Sequence, residues 1–193
     1  MRKLFSLVAL AVVALGAQAQ SYPGSKPISI VVPFTAGGPT DRVARDLAEA
    51  MRKQIPGSNF VVENAAGAGG TIGATKVAKA APDGHSLLLF HIGMAATPAL
   101  YRKIAYKPLE DFEFLGMVND VPMTLIARKD IPANNLQELI ALLKKDPGKL
   151  SYGSDGNGTA SHLGMEILKY KGNFQLTHIP YRGSTPMITR FAR

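Results

Sequence analysis

Three times the chain runs from a short β-branched stretch through a glycine-bearing loop into a helical pattern, and this repeat restricts the fold more than any other feature. The first stretch, Ile28–Val32, reads "ISIVV"; runs this apolar belong to strands covered on both faces, as in parallel sheets. "PFTAGGPT" follows, and then Ala44, Leu47, Ala48, Met51 and Ile55 recur at helical spacing until Pro56-Gly57 stops the pattern. Phe60–Glu63 opens the second unit. Its loop and helix lie in "NAAGAGGTIGATKVAKAAPDG", where Ile72, Val77 and the alanines suggest a packed helix ended by Pro82-Asp83-Gly84. Ser86–Phe90 opens the third, with "HIGMAATPALYRK" as loop and helix. Parallel strands need crossover connections and helices supply them, so the expected class is α/β with a parallel sheet.

Beyond this the pattern changes. Phe112–Val118 and Met123–Arg128 are extended apolar runs with no helix between them, and both are expected to be strands. The chain is expected to cross into a second lobe near Asp120–Pro122, which makes residues 20–121 the first lobe and 122–193 the second. Asn135–Lys145 reads as a helix with Leu136, Leu139, Ile140 and Leu143 on one face. A strand at Leu150–Tyr152, the loop "GSDGNGTAS", a helix at about His162–Tyr170 and a strand at Gln175–Pro180 complete the series.

The N-terminus has its own logic. Arg2 and Lys3 precede an apolar run, Leu4–Leu15, and Ala17-Gln18-Ala19 is a small-residue cleavage pattern. Residues 1–19 therefore read as a secretory signal peptide, cut after Ala19, and the mature chain as periplasmic. Cysteine is absent, so the exported chain has neither disulfides nor an acylation site. Loss of Arg2 and Lys3 takes the net charge from +8 to 8 − 2 = +6. The basic residues are scattered, without blocks or interleaved aromatics, which excludes nucleic acid as the expected partner. A mild positive field suits anionic small molecules; a solvated basic surface is an equally good reading.

Four loops join strands to helices with glycine in them: Phe34–Thr40, Ala66–Gly73, Gly93–Thr97 and Gly153–Ser161. Ligands of open α/β sheets bind at the carboxyl ends of the strands, where helix N-termini offer free N–H groups to anions. One such loop is explained by turn geometry; four together favour binding. Neither a G-x-G-x-x-G nor a G-K-[ST] sequence is present, which argues against nucleotides. Ser154 sits in "YGSDG", which is not a nucleophile elbow, and His85, His91, His162 and His178 lack metal-ligand spacing. No catalytic residue, metal or cofactor is expected. His162 and Glu166, four apart on a helix, read as a local ion pair or hydrogen bond, although His162 also lies near enough to a helix start to reach a ligand. Asp41 has two readings of equal weight, a cap that fixes its loop or a contact to an ammonium group or bridging water. Ser154, Thr159 and Ser161 are likewise either caps or hydroxyl donors to a ligand.

The segments "PISIVVPFTAGGPTDRVAR", "VVENAAGAGGTIGATKVAKAAPDGHSLL", "PALYRKIAYKPLEDFEFLG", "YGSDGNGTASHLGMEILK" and "HIPYRGSTP" resemble, in order, the solute-binding proteins of tripartite tricarboxylate transporters, the Bug receptors. The resemblance implies a two-lobed, periplasmic-binding-protein-like (type II) α/β fold. It implies a receptor, expected to be monomeric, that closes on a small carboxylate and delivers it to membrane permease subunits, with no chemistry performed. Carried over by motif, the first-lobe contacts are Phe34, Thr35, Ala36, Gly37, Gly38 and Asp41, then Gly69, Gly70, Gly93 and Met94. The second-lobe contacts are Ser154, Gly156, Gly158, Thr159, His162 and Tyr181. A sensor presenting its ligand to a signalling partner is the alternative role. Relatives usually continue well past the "PYRGSTP" stretch, so the fold is expected to be incomplete at the C-terminus, as in a truncated copy.

Overall fold

The computed structural model describes residues 22–191, so the expected signal peptide lies outside the described residues. Among the described residues, no helix is long and apolar enough to cross a membrane.

Three strands form the first sheet: β1 (Ile28–Val32), β2 (Phe60–Asn64) and β3 (Ser86–Leu88). All pairing is parallel and the order is β2-β1-β3, with Ile30 aligned to Val62 on one side and to Leu87 on the other. The uniform apolarity of "ISIVV" has its cause here: β1 is central, and Ile28, Ile30, Val31 and Val32 are all buried. Helix α1 (Pro39–Gln54) packs Ala44 and Ala48 into a core with Ile28, Ile30, Val32, Phe34 and Phe60. Burial of each large side chain in that set contributes roughly 1.5–3 kcal/mol. Pro39 opens α1 at a position where a missing N–H costs nothing, and Arg52 and Lys53 complement its C-terminal dipole.

A single 3₁₀ turn, Ala68–Gly70, leads into α2 (Thr71–Ala78). The expected packing through Ile72 is not found. Ile72 is 53% exposed, whereas Thr71, Gly73 and Ala74 are buried, because the helix lies so close to β1 that a Cβ on Gly73 would stand 2.8 Å from the Pro33 side chain. Helix α3 (Gly93–Leu100) contains Pro98, which cannot donate to the carbonyl of Met94. The Thr97 hydroxyl donates to that carbonyl instead, at 2.8 Å.

The strands expected at Phe112–Val118 and Met123–Arg128 are absent. Both segments lack regular structure, and every residue from 113 to 130 is exposed, including Leu115 and Met117. Apolar composition favours a strand only where another backbone pairs with it, and no other described segment lies alongside to form a ladder.

Helix α4 (Leu136–Lys145) follows. Asn135 Oδ1 accepts the Glu138 N–H at 2.9 Å, and the Glu138 carboxylate reaches back to the Asn134 N–H at 2.7 Å, a reciprocal cap. Strands β4 (Ser151–Ser154) and β5 (Thr177–Pro180) form a parallel pair, with Tyr152 beside His178 and Ser154 beside Pro180. Helix α5 (Ala160–Gly172) crosses between them, and α6 (Ser184–Phe191) ends the described chain. No residue of α5 is fully buried; Leu143, Tyr152 and Phe174 supply the covered apolar surface of this region.

Candidate functional site

Strand order reverses between β1 and β3, which places the loops after these two strands on either side of the crevice where α/β sheets hold ligands. The β1 loop is held by Asp41. Its carboxylate, buried on the first turn of α1, accepts the Gly37 N–H at 2.9 Å, the Nε and Nη2 donors of Arg45 at 3.0 Å each and the Asn64 side-chain N–H at 2.9 Å. Burial pushes the pKa of Asp41 up, but the hydrogen bonds from Arg45, Gly37 and Asn64 together outweigh it and bring the value down to about 2. With four donors on two oxygens, Asp41 acts as the fixing element of its loop. Asn64 also donates to the Phe34 carbonyl at 3.1 Å, tying the end of β2 to the same turn.

Phe34 is buried and stacks on Phe90 at 5.6 Å and on His91 at 4.8 Å. The Thr35 hydroxyl is buried with no hydrogen-bond partner. The Ala36 carbonyl accepts from the Thr185 hydroxyl at 3.1 Å, a contact from the first sheet's loop to α6. Gly38 is the extended residue preceding α1.

The other loops meet across the two sheets. Gly69 has φ +62°, and a Cβ there would lie 2.1 Å from the Asn157 carbonyl oxygen and 2.5 Å from the Tyr101 hydroxyl, which itself donates to Asn157 at 3.0 Å. Only glycine permits both that backbone and that approach. Gly70, its neighbour in the turn, is buried. Gly93 opens α3, where a Cβ would lie 2.8 Å from the Gly158 carbonyl oxygen, and Met94 follows in the same turn. Gly156 lies against Gly69 and the Tyr181 carbonyl. Thus Gly69, Gly93 and the pair Gly156 and Gly158, placed on three separate loops by the sequence, are brought together at one seam.

The polar residues of the β4 loop brace one another. Ser154 and Thr159 are fully buried. Ser154 Oγ lies 2.6 Å from His178 Nε2, Thr159 donates to the Gly156 carbonyl at 2.7 Å, and Ser161 Oγ accepts the Asp155 N–H at 3.0 Å. Thr159 precedes α5 without capping it through its side chain. The expected His162–Glu166 hydrogen bond is not made. His162 Nδ1 instead accepts the Gly158 N–H at 3.1 Å and its ring stacks on His178 at 4.2 Å, while Glu166 takes the Tyr152 hydroxyl at 2.5 Å and Lys169 at 2.8 Å. Burial, with His162 adjacent, holds His178 below the usual histidine range; burial and then Glu166 push the Tyr152 hydroxyl up. Tyr181 lines a separate groove with Pro186, Thr189 and Arg190. Another groove of about 280 Å³ lies between α2 and residues 103–105.

The sequence did not single out His91, His178, Arg45 or Asn64 as site residues. His91 lies three residues past the end of β3 and Asn64 ends β2, so position at or just beyond a strand's carboxyl end is the available signal. Among the described residues, no group of three His, Asp or Glu side chains is arranged to hold a metal ion.

Residues 43–192 match the family model described as the tripartite tricarboxylate transporter family receptor. A UPF0065 protein from the TAR-I ttuE-ttuC' intergenic region of Agrobacterium vitis is 47% identical over 174 residues, covering 90% of this chain and 50% of that protein. Among solved structures, the periplasmic binding protein BugD is 50% identical with a TM-score of 0.81, over 86% of this chain and 55% of BugD. MatC from Rhodopseudomonas palustris, solved with bound malate, is 37% identical with a TM-score of 0.80, over 86% of this chain and 56% of MatC. The fold is that of the α/β periplasmic binding proteins, and the chain spans about half the length of the relatives it matches.

Proposed function

The chain belongs to the tripartite tricarboxylate transporter receptor family, and on that premise we propose that it is a periplasmic receptor for a small carboxylate, which it presents to membrane permease subunits of a tripartite transporter. The observation that carries this reading is the seam, where glycine loops from two separate parallel sheets meet through Gly69 against Asn157 and Gly93 against Gly158. Helix starts on both sides, at Thr71, Gly93 and Ala160, bring the positive ends of their dipoles to that seam. An anion held there is recognised by N–H groups from both sides, so each sheet is one lobe and the ligand joins them. The candidate contacts are the residues of the four loops, with Asp41 acting as the support of the first loop and not as a contact to the anion. The bound malate of MatC supports the ligand class. Residues 1–19 act as the export signal, as their charge and cleavage pattern suggest.

Binding to the folded state raises the melting temperature with occupancy. A melting series with acetate, L-malate, adipate and citrate tests the reading. Stabilisation by at least one of them, saturating with concentration, is expected; no shift with any of the four overturns the ligand class.

A further inference from the structure

His91 lies on the segment between β3 and the start of α3, on the rim of the crevice where the strand order reverses. Its ring is held in plane by stacking on Phe34 at 4.8 Å and on Phe90 at 5.0 Å. Nδ1 accepts the Gly93 N–H at 2.9 Å. A neutral imidazole carries one proton, so an accepting Nδ1 fixes that proton on Nε2. The Nε2 atom is buried and has no hydrogen-bond partner. Buried donors are ordinarily satisfied, and an orphan beside a candidate site calls for an acceptor.

The ring edge also faces the seam. A Cβ on Gly93 would lie 2.5 Å from His91 Cε1 and 2.8 Å from the Gly158 carbonyl oxygen, so the carbon between the two ring nitrogens stands where the loops of the two sheets cross. Burial holds the imidazole below the usual histidine range, against the opposing pull of the Asp155 carboxylate on the facing loop. The group at the seam is therefore a neutral N–H donor.

The geometry points to His91 Nε2–H as a direct side-chain hydrogen-bond donor to the bound carboxylate, its tautomer fixed by Gly93 and its plane by Phe34 and Phe90. This assignment rests on the receptor reading above and adds a side-chain contact to a site otherwise built from backbone donors. It also gives the ligand a fixed direction on the first sheet.

Two substitutions separate this role from a merely structural one. In His91→Asn the side-chain oxygen can take the place of Nδ1 and accept the Gly93 N–H, but nothing donates from the Nε2 position. In His91→Gln an amide N–H reaches the Nε2 position while the acceptor for Gly93 is lost. Calorimetric titration with L-malate is expected to show about tenfold weaker binding by H91N and a smaller loss by H91Q. The reverse order, or undiminished affinity of H91N, overturns the donor role while leaving the receptor reading intact. Should either variant fail to fold, the unsubstituted chain decides. Its two-bond ¹H–¹⁵N spectrum is expected to show His91 as the Nε2–H tautomer, with that proton moving downfield when L-malate is added. An Nδ1–H pattern, or an Nε2–H signal unmoved at saturating malate, overturns the assignment alone. No binding of malate, adipate or citrate by the unsubstituted chain overturns the receptor reading and this contact with it.

Discussion

The two sheets reach the seam by different means. Around β1 the loops rest on a continuous apolar core, in which Ile28, Ile30, Val32, Phe34, Ala44, Ala48 and Phe60 are buried together. Around β4 there is little such core, and α5 buries none of its residues completely. Position there is set by polar links: Ser154 to His178, His162 to Gly158, and Tyr152 through Glu166 to Lys169. An apolar core resists deformation because any shift loses packing over many contacts, whereas a few hydrogen bonds with little covered apolar surface around them resist less. The first sheet is therefore expected to be the more rigid of the two, and the second the more easily deformed.

Substitutions that attack the core should have the largest effect. Phe60→Ala is expected to destabilise the chain by about 3–5 kcal/mol, since it removes a fully buried ring beneath α1. Urea unfolding followed by far-UV circular dichroism measures this, and a loss below 1 kcal/mol would break the contrast. Asp41→Asn comes next. The fall of the Asp41 pKa from 3.8 to about 2 corresponds to about 2 kcal/mol of stability. Because the folded value is the lower one, that stability is present above about pH 4 and is lost as pH falls toward about 2. His91, also held low, adds a loss that begins as pH falls below its usual range near 6.5. An acid-unfolding curve for D41N should thus be flatter below pH 4 than that of the unsubstituted chain; identical curves would remove Asp41 from its role.

The smallest effects are expected in the second sheet. Tyr152→Phe deletes the hydroxyl that donates to Glu166, and Ser154→Ala deletes the partner of His178. Each should cost about 1 kcal/mol, as for a typical hydrogen bond. Amide hydrogen exchange sharpens the same contrast without substitution. The amides of β1 should be the slowest to exchange, and those of β4 and β5 should open at lower free energy; equal protection in both sheets would contradict the division.

The elements that the sequence made legible are those whose pattern has a local cause. Strand β1 is seen in the apolar run of Ile28–Val32, and α1 in Ala44, Leu47, Ala48 and Met51 at helical spacing closed by Pro56-Gly57. Phe112–Val118 was illegible for the opposite reason: a strand is completed by a neighbouring backbone, which no local pattern records. The glycine loops could be found as candidates, but not what fixes them. Asp41 was ambiguous until Asn64, far along the chain, and Arg45, one turn along α1, were seen to share its oxygens. The roles of His91 and His178 are not legible in the sequence because they depend on which ring nitrogen accepts. For His178 that depends on parallel register with Tyr152, and for His91 on the turn into α3.

On the proposed reading, loops from both sheets make one anion site. A ¹H–¹⁵N titration of the chain with L-malate tests it most directly. The amides of Gly37, Gly38, Gly69, Gly93, Gly156 and Gly158 should shift together along one saturation curve. Shifts confined to the loops of a single sheet, or centred on the groove between Thr71 and Ala105, would contradict it.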